Sequence, residues 1–214
     1  MSKTTLHDPD CRACHRLASF LDQTALEYPG YFCRPVPPFG DSNPRLLIVG
    51  LAPGMHGANR TGRPFTGDYA GVLLYETLYA FGFSTQPVSE SAADKLKLVD
   101  VRITNAVKCL PPQNKPDPSE VKNCNAYLAA EIDALKPGST ILALGAISHG
   151  AVLRAVGLKP NAAKFGHGAR HMLPREVALF DSYHCSRYNT NTRRLTPEMF
   201  RDVFQAIRAH LDSA

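Results

Sequence analysis

Three segments of this chain collect the residue types that bind or cleave. The first, GLAPGMHGANRTGRPFTGD from Gly50 to Asp68, holds five glycines, two prolines, two arginines and one carboxylate directly after the apolar run Leu46–Val49. Glycine-rich turns after strands commonly cradle phosphates at a helix N-terminus. Neither the dinucleotide fingerprint nor the Gly-Lys-Ser/Thr loop is present, because the glycines are spread too widely and Pro53 and Pro64 interrupt any early helix start. A loop this long is uncommon in a compact domain unless it binds something. The second segment, SYHCSRYNTNTRRLT over residues 182–196, packs one histidine, two tyrosines, three arginines and two asparagines together. That mixture suits phosphate contact, with His184 a candidate for proton or hydrogen-bond chemistry. The third group is the cysteines. Cys11 and Cys14 have the two-residue gap that lets two thiolates share one metal centre, while Cys109 and Cys124 lie farther along. This spacing permits either a four-thiolate zinc site or a [4Fe–4S] cluster.

Such groups need a frame to hold them. The 214 residues suit one domain over 1–214, with 1–44, rich in Pro, Asp and Cys, as an N-terminal extension contributing cysteine ligands. Four apolar runs, at Leu46–Val49 and within VRITNAVKCL, STILALG and VALFDSYH, read as strands. They alternate with helical stretches: YAGVLLYETLYAFGF; SEVKNCNAYLAAEIDALKPG, opening on a Ser N-cap; AISHGAVLRAVG; and TPEMFRDVFQAIRAHLDS, capped by Thr196. A further short helix lies around CHRLASFLDQTALEYP. Alternation of this kind predicts an α/β fold, three layers α/β/α around a mainly parallel four-stranded sheet. Ligand-binding loops then lie beyond the carboxyl ends of the strands, which brings segments 50–68, 109–118 and 183–195 to one rim.

Composition narrows the partners. A net charge of +5 and a pI near 8.9 favour a polyanion such as DNA without requiring one. The N-terminal segment lacks the apolar core of a signal peptide, and no segment approaches a membrane span, so a soluble protein with reduced thiols is expected in a bacterial or archaeal cytosol near the nucleoid.

Taken together, Gly50-Leu-Ala-Pro-Gly54 with GANRTGRPFTGD, then NAVKCLPPQNKP, then SYHCSRYNTNTRRLT, resemble the motifs of the uracil-DNA glycosylase superfamily, and within it family 5, the type B enzymes. The resemblance implies a monofunctional DNA glycosylase of that fold, acting as a monomer on DNA containing uracil or other deaminated bases such as hypoxanthine. It implies a structural [4Fe–4S] cluster on Cys11, Cys14, Cys109 and Cys124, with Cys33 as a substitute ligand. By the same resemblance Phe65 stacks on the flipped base, Gly50 and Asn105 border it, and His184 bonds the uracil carbonyl oxygen. Asp68 and Asn114 are the candidates for sugar stabilisation and water activation, because Leu51 stands where other families carry a polar residue. Ser186, Arg187, Tyr188 and Asn189 flank the minor groove, and Arg60, Arg63, Arg193 and Arg194 reach phosphates.

Three positions depart from the family pattern. Cys185 replaces a common proline, Tyr188 a frequent glutamine and Arg193 a frequent glycine. Losing the proline predicts a looser turn at the histidine. Two other classes compete: a cluster- or zinc-bearing DNA-binding module without catalysis, and an α/β enzyme acting on a free nucleotide.

Overall fold

Strands β2 (Leu46–Gly50), β4 (Thr140–Leu144) and β6 (Ala178–Ser182) are buried along their whole length, as expected of strands covered on both faces. In the computed structural model, which describes residues 6–213, they and β3 (Val101–Asn105) form a parallel core in the order β3-β2-β4-β6. The sequence predicts four strands, and the sheet has six. Two short antiparallel strands are added at the edges, β1 (Phe39–Gly40) against β3 and β5 (Arg170–Met172) against β6. Neither carries an apolar run; β5 is Arg-His-Met with both end residues exposed, so nothing in its pattern marks it.

Alternate residues of each strand feed opposite layers. Leu46, Ile48, Leu142 and Phe180 face helices α3 (Tyr69–Ala80) and α7 (Pro197–Ser213), packing on Leu74, Leu78, Phe200 and Phe204. Leu47, Val49, Ile141 and Leu179 face α4 (Pro118–Asp133) and α5 (Ala146–Ala155), packing on Leu128, Ile132, Val152 and Leu153. The result is three layers with a core on each side of the sheet. Between α3 and β3 the chain runs over residues 81–100 with little regular structure, closed by a bridge between Ser84 and Leu98.

Helix starts follow capping chemistry. Helix α4 begins two residues before the expected Ser119: Asp117 is the cap, its N–H donating to Glu120 Oε2 at 2.7 Å, with Pro118 in the first turn. Thr196 caps α7 as the sequence predicts, accepting from the Met199 N–H at 3.3 Å. Helix α1 (His15–Glu27) is fastened to the start of α4 by Arg16, which bonds Glu120 Oε2 at 2.6 Å and lies 3.1 Å from Asp117.

Candidate active site

Strands β2 and β3 end in register at Gly50 and Asn105, and β4 and β6 at Leu144 and Ser182. Their carboxyl ends open into a cavity of about 1140 Å³. Asp68, Phe65, Asn105, Asn114, His184 and Arg187 all line it. The three segments predicted to share a rim therefore do so. Two further walls were not predicted: Leu144–Ser148, following β4, and Pro87–Glu90. The first obeys the carboxyl-end rule; the second lies where the sequence carries no periodic signal.

The floor of the cavity depends on close packing. Phe65 is buried with φ of +53°, a left-handed conformation that costs an aromatic residue about 1–3 kcal/mol. Its neighbours hold it there. The Tyr75 hydroxyl donates to the Pro64 carbonyl at 3.0 Å, and Thr66 shares a 2.7 Å hydrogen bond with Ser89. A Cβ on Gly50 would fall 2.7 Å from two Phe65 ring carbons and collide with Asn105 Oδ1. Gly50 thus makes room for the two side chains that border the cavity. The Phe65 ring stacks on the His184 imidazole, with centroids 5.7 Å apart and planes 26° from parallel.

Asp68 is the N-cap of α3 and accepts the Gly71 N–H through Oδ1 at 3.0 Å. Its other oxygen faces the glycine loop. A Cβ on Gly54 would stand 3.4 Å from Oδ2, and one on Gly57 would overlap the carboxylate, so Gly57 exists to admit it. Burial raises the Asp68 carboxyl above the ordinary range, against the lowering effect of the Gly71 and Ala70 N–H groups. Asn105 is buried, and its Oδ1 has no partner among the described residues. Burial also holds the His184 imidazole down at about 4, so it is neutral at physiological pH, and its Nδ1 likewise lacks a partner. Orphaned polar atoms around one cavity are costly unless a ligand engages them.

Two hydrogen bonds hold the histidine loop around Cys185. The Asn189 amide donates to the His184 carbonyl at 2.8 Å, and the Ser186 hydroxyl accepts the Asn189 N–H at the start of α6 (Arg187–Asn191). Asn189, expected at DNA, has its amide turned inward. Arg187 lies over the Tyr69 ring at 5.1 Å and Tyr188 is 71% exposed, so both stand at the cavity mouth or beyond it. Arg193 is exposed with φ of +55°, a conformation glycine adopts freely, which explains why glycine suits that position. Asn114 sits exposed in a 3-10 turn, Pro112–Asn114, on the cavity edge. Arg60 is exposed and curls onto its own loop, donating to the His56 carbonyl at 2.7 Å, and Arg194 covers Tyr183 at 4.6 Å. Arg63, expected at a phosphate, instead points inward. Its guanidinium is buried, bonding Asp94 at 2.6 Å, Ser89 at 3.1 Å and the Ala92 carbonyl at 2.9 Å, so it pins segment 89–94 and is not presented to a phosphate.

A second cavity, of about 540 Å³, is lined by Cys11, Cys14, Cys109 and Cys124 together with Leu17, Lys108 and Tyr127. Cys14 caps α1, Cys109 follows β3 and Cys124 sits on α4, so three elements meet there. Cys33 does not line it; its sulfur accepts from the Asn59 amide at 3.5 Å elsewhere. Burial and the neighbouring thiols Cys124, Cys11 and Cys14 push Cys109 up to about 12, and burial also raises Cys124. Thiolates gathered this way call for a positive centre among them.

Residues 37–208 match the family described as the uracil DNA glycosylase superfamily. A type-5 uracil-DNA glycosylase of Thermus thermophilus is 46% identical over 198 residues, covering 90% of this chain and 90% of its own. A second, from Pyrobaculum aerophilum, is 41% identical and covers 94% and 88%. A type-4 uracil-DNA glycosylase of the same archaeon is 38% identical over 149 residues, covering 69% and 67%.

Proposed function

Because the chain belongs to the uracil DNA glycosylase superfamily, we propose that the rim cavity receives a nucleotide swung out of DNA and that Phe65, Asn105, His184 and Asp68 hold and cleave it. Membership carries hydrolysis of the N-glycosyl bond of uracil in DNA, the step that initiates base excision repair. Cleaving that bond requires the base out of the stack, its edge read, and charge stabilised on a departing base anion and a cationic sugar. Phe65 offers the stacking face and Asn105 an unpaired amide for the base edge. Neutral His184 donates one hydrogen bond to the carbonyl oxygen where negative charge grows. Asp68 sets its free oxygen toward the cationic sugar or the attacking water, with Asn114 assisting from the second loop. Ser186, Arg187 and Tyr188 enter or flank the minor groove, Asn189 holds the histidine turn, and Arg60 and Arg193 meet phosphates.

The observation that carries this reading is the convergence of four groups from three distant segments on one cavity, two of them with orphaned polar atoms. No lysine lines the cavity among the described residues, which supports water as the nucleophile and an abasic site as the product. Its breadth supports acceptance of a purine such as hypoxanthine besides uracil. Incubation with a uracil-containing duplex, then alkali, should cut the labelled strand, and a hypoxanthine duplex should be cut as well. Intact uracil strands would favour a binding module without catalysis.

The four cysteines fit a [4Fe–4S] cluster. They come from separate elements, their cavity is wide for a single ion held by sulfurs about 2.3 Å away, and burial makes bare thiolates costly there. Such a cluster would cross-link residues 11–14 to β3 and α4 as a structural brace. Cys109→Ser should yield colourless protein with Tm lowered by about 4–8 °C, equivalent to about 2 kcal/mol for a chain this size. A variant that keeps its iron and its Tm would remove Cys109 from the ligand set.

A further inference from the structure

On the α4/α5 face of the sheet, His149 of α5, His171 of β5 and Asp181 of β6 meet with one ligand atom each, all within 4.8 Å of one another. His149 Nδ1 lies 2.8 Å from Asp181 Oδ1, and His171 Nε2 lies 3.4 Å from Asp181 Oδ2. The other nitrogen of His149 fixes the proton count. Nε2 is 3.0 Å from the Ala163 carbonyl, which can only accept, so Nε2 carries the hydrogen. In the neutral ring Nδ1 is then a lone pair aimed at a carboxylate oxygen, two acceptors 2.8 Å apart. His171 Nε2 is buried and makes no hydrogen bond among the described residues, yet it faces the second oxygen of the same carboxylate at 3.4 Å. Asp181 is fully buried, and among the described residues its only other side-chain bond is a long one, 3.4 Å, from the Gly166 N–H.

A proton between His149 and Asp181 would satisfy the first of these gaps, and a second proton on His171 Nε2 the other. One cation bound by all three residues satisfies both. We propose that His149 Nδ1, His171 Nε2 and Asp181 form a binding site for a single divalent transition-metal ion of the zinc type, separate from the cysteine cavity. Two imidazoles and one carboxylate are a borderline donor set that suits zinc and its neighbours, whereas calcium and magnesium prefer all-oxygen shells. The 2.8 Å and 3.4 Å gaps run to different oxygens of Asp181, so an ion about 2.0–2.1 Å from each imidazole nitrogen would be held by both carboxylate oxygens, or by one after a small turn of the Asp181 side chain. The Ala163 carbonyl completes the arrangement seen around metal-bound histidines, in which the non-ligating N–H is held by a backbone oxygen and fixes the tautomer. His171, 21% exposed on the edge strand, leaves an approach for the ion and for a water as fourth ligand.

Protein purified with its iron, equilibrated with micromolar zinc sulfate and passed through gel filtration should retain one zinc per chain in addition to that iron. X-ray absorption at the zinc edge should show a nitrogen and oxygen shell at about 2.0–2.1 Å and no sulfur at about 2.3 Å. His171→Ala, a change on a short edge strand, should keep its iron and lose the zinc, with affinity down about tenfold or more. Zinc absent from the parent, a sulfur shell, or equal zinc in parent and variant would each overturn the site.

Discussion

His184→Ala should lower kcat for uracil excision by about 10²–10³-fold while leaving the protein folded. That is the loss that follows removal of one preorganised donor to a developing oxyanion in a water-poor site. The Phe65 ring on one face and the Asn189 amide on the backbone carbonyl hold the imidazole in place without help from the departing base. With its ionisation pressed down to about 4, His184 is neutral, so if it donates to the departing base the parent's rate should show no titration belonging to it between about pH 5 and 8. A rate that tracked protonation of His184 near its ordinary 6.5 would mean that the imidazolium does the work. The same depression has a stability consequence. The folded state binds this proton less well than the unfolded chain, so the parent loses stability as pH falls from about 6.5 towards 4. The alanine variant should lose less over that window. Steady-state kinetics from pH 5 to 8 and acid melts of both proteins check both statements.

Much of the frame that carries this histidine is legible in the residues alone, for a physical reason. Strands buried on both faces must be apolar throughout, and Leu46–Val49, Thr140–Leu144 and Ala178–Asp181 come close enough to stand out against alternating helical stretches. Edge strands face no such demand. Phe39–Gly40 and Arg170–Met172 join the sheet by backbone pairing with β3 and β6 and carry no apolar run, and backbone pairing leaves no mark on composition. The rim was legible because strand direction decides which loops meet. Applied to β4, the same rule also points to Leu144–Ser148. Contacts set by tertiary distance were not legible. Arg63 looks like a phosphate ligand in a glycine-rich loop, and only the fold brings Asp94, 31 residues away, against it. Likewise nothing in the sequence pairs His149 with Asp181, 32 residues away, and only the fold brings their side chains together. Asp68 has two candidate roles, helix cap and reacting carboxylate, and its geometry leaves room for both: one oxygen accepts the Gly71 N–H and the other faces Gly54 and Gly57.

That division of labour makes Asp68→Asn the sharpest test of the site. Asparagine caps a helix as well as aspartate, so Oδ1 can keep the Gly71 N–H and α3 keeps its start. What disappears is the negative charge and the capacity to accept a proton from water. If the carboxylate stabilises the sugar cation or orients the nucleophile, kcat should fall by about 10²–10⁴-fold, the range of a positioned acid–base group. The parent's own pH profile supplies a second measurement. Only the ionised form serves either role, and burial raises the carboxyl of Asp68, so the rate should climb with pH through a midpoint above the ordinary carboxylate range and then level off. The stability sign is the reverse. A carboxyl raised in the folded state favours folding at low pH, and its ionisation costs stability as pH rises through that midpoint. At neutral pH the asparagine variant should therefore melt no lower than the parent, and higher if the cap is fully kept. A variant that is inactive and also unstable would show Asp68 acting mainly as a cap. One that is stable and inactive assigns the charge to the chemistry, and full activity with the charge gone would move that role to Asn114, which also lines the cavity.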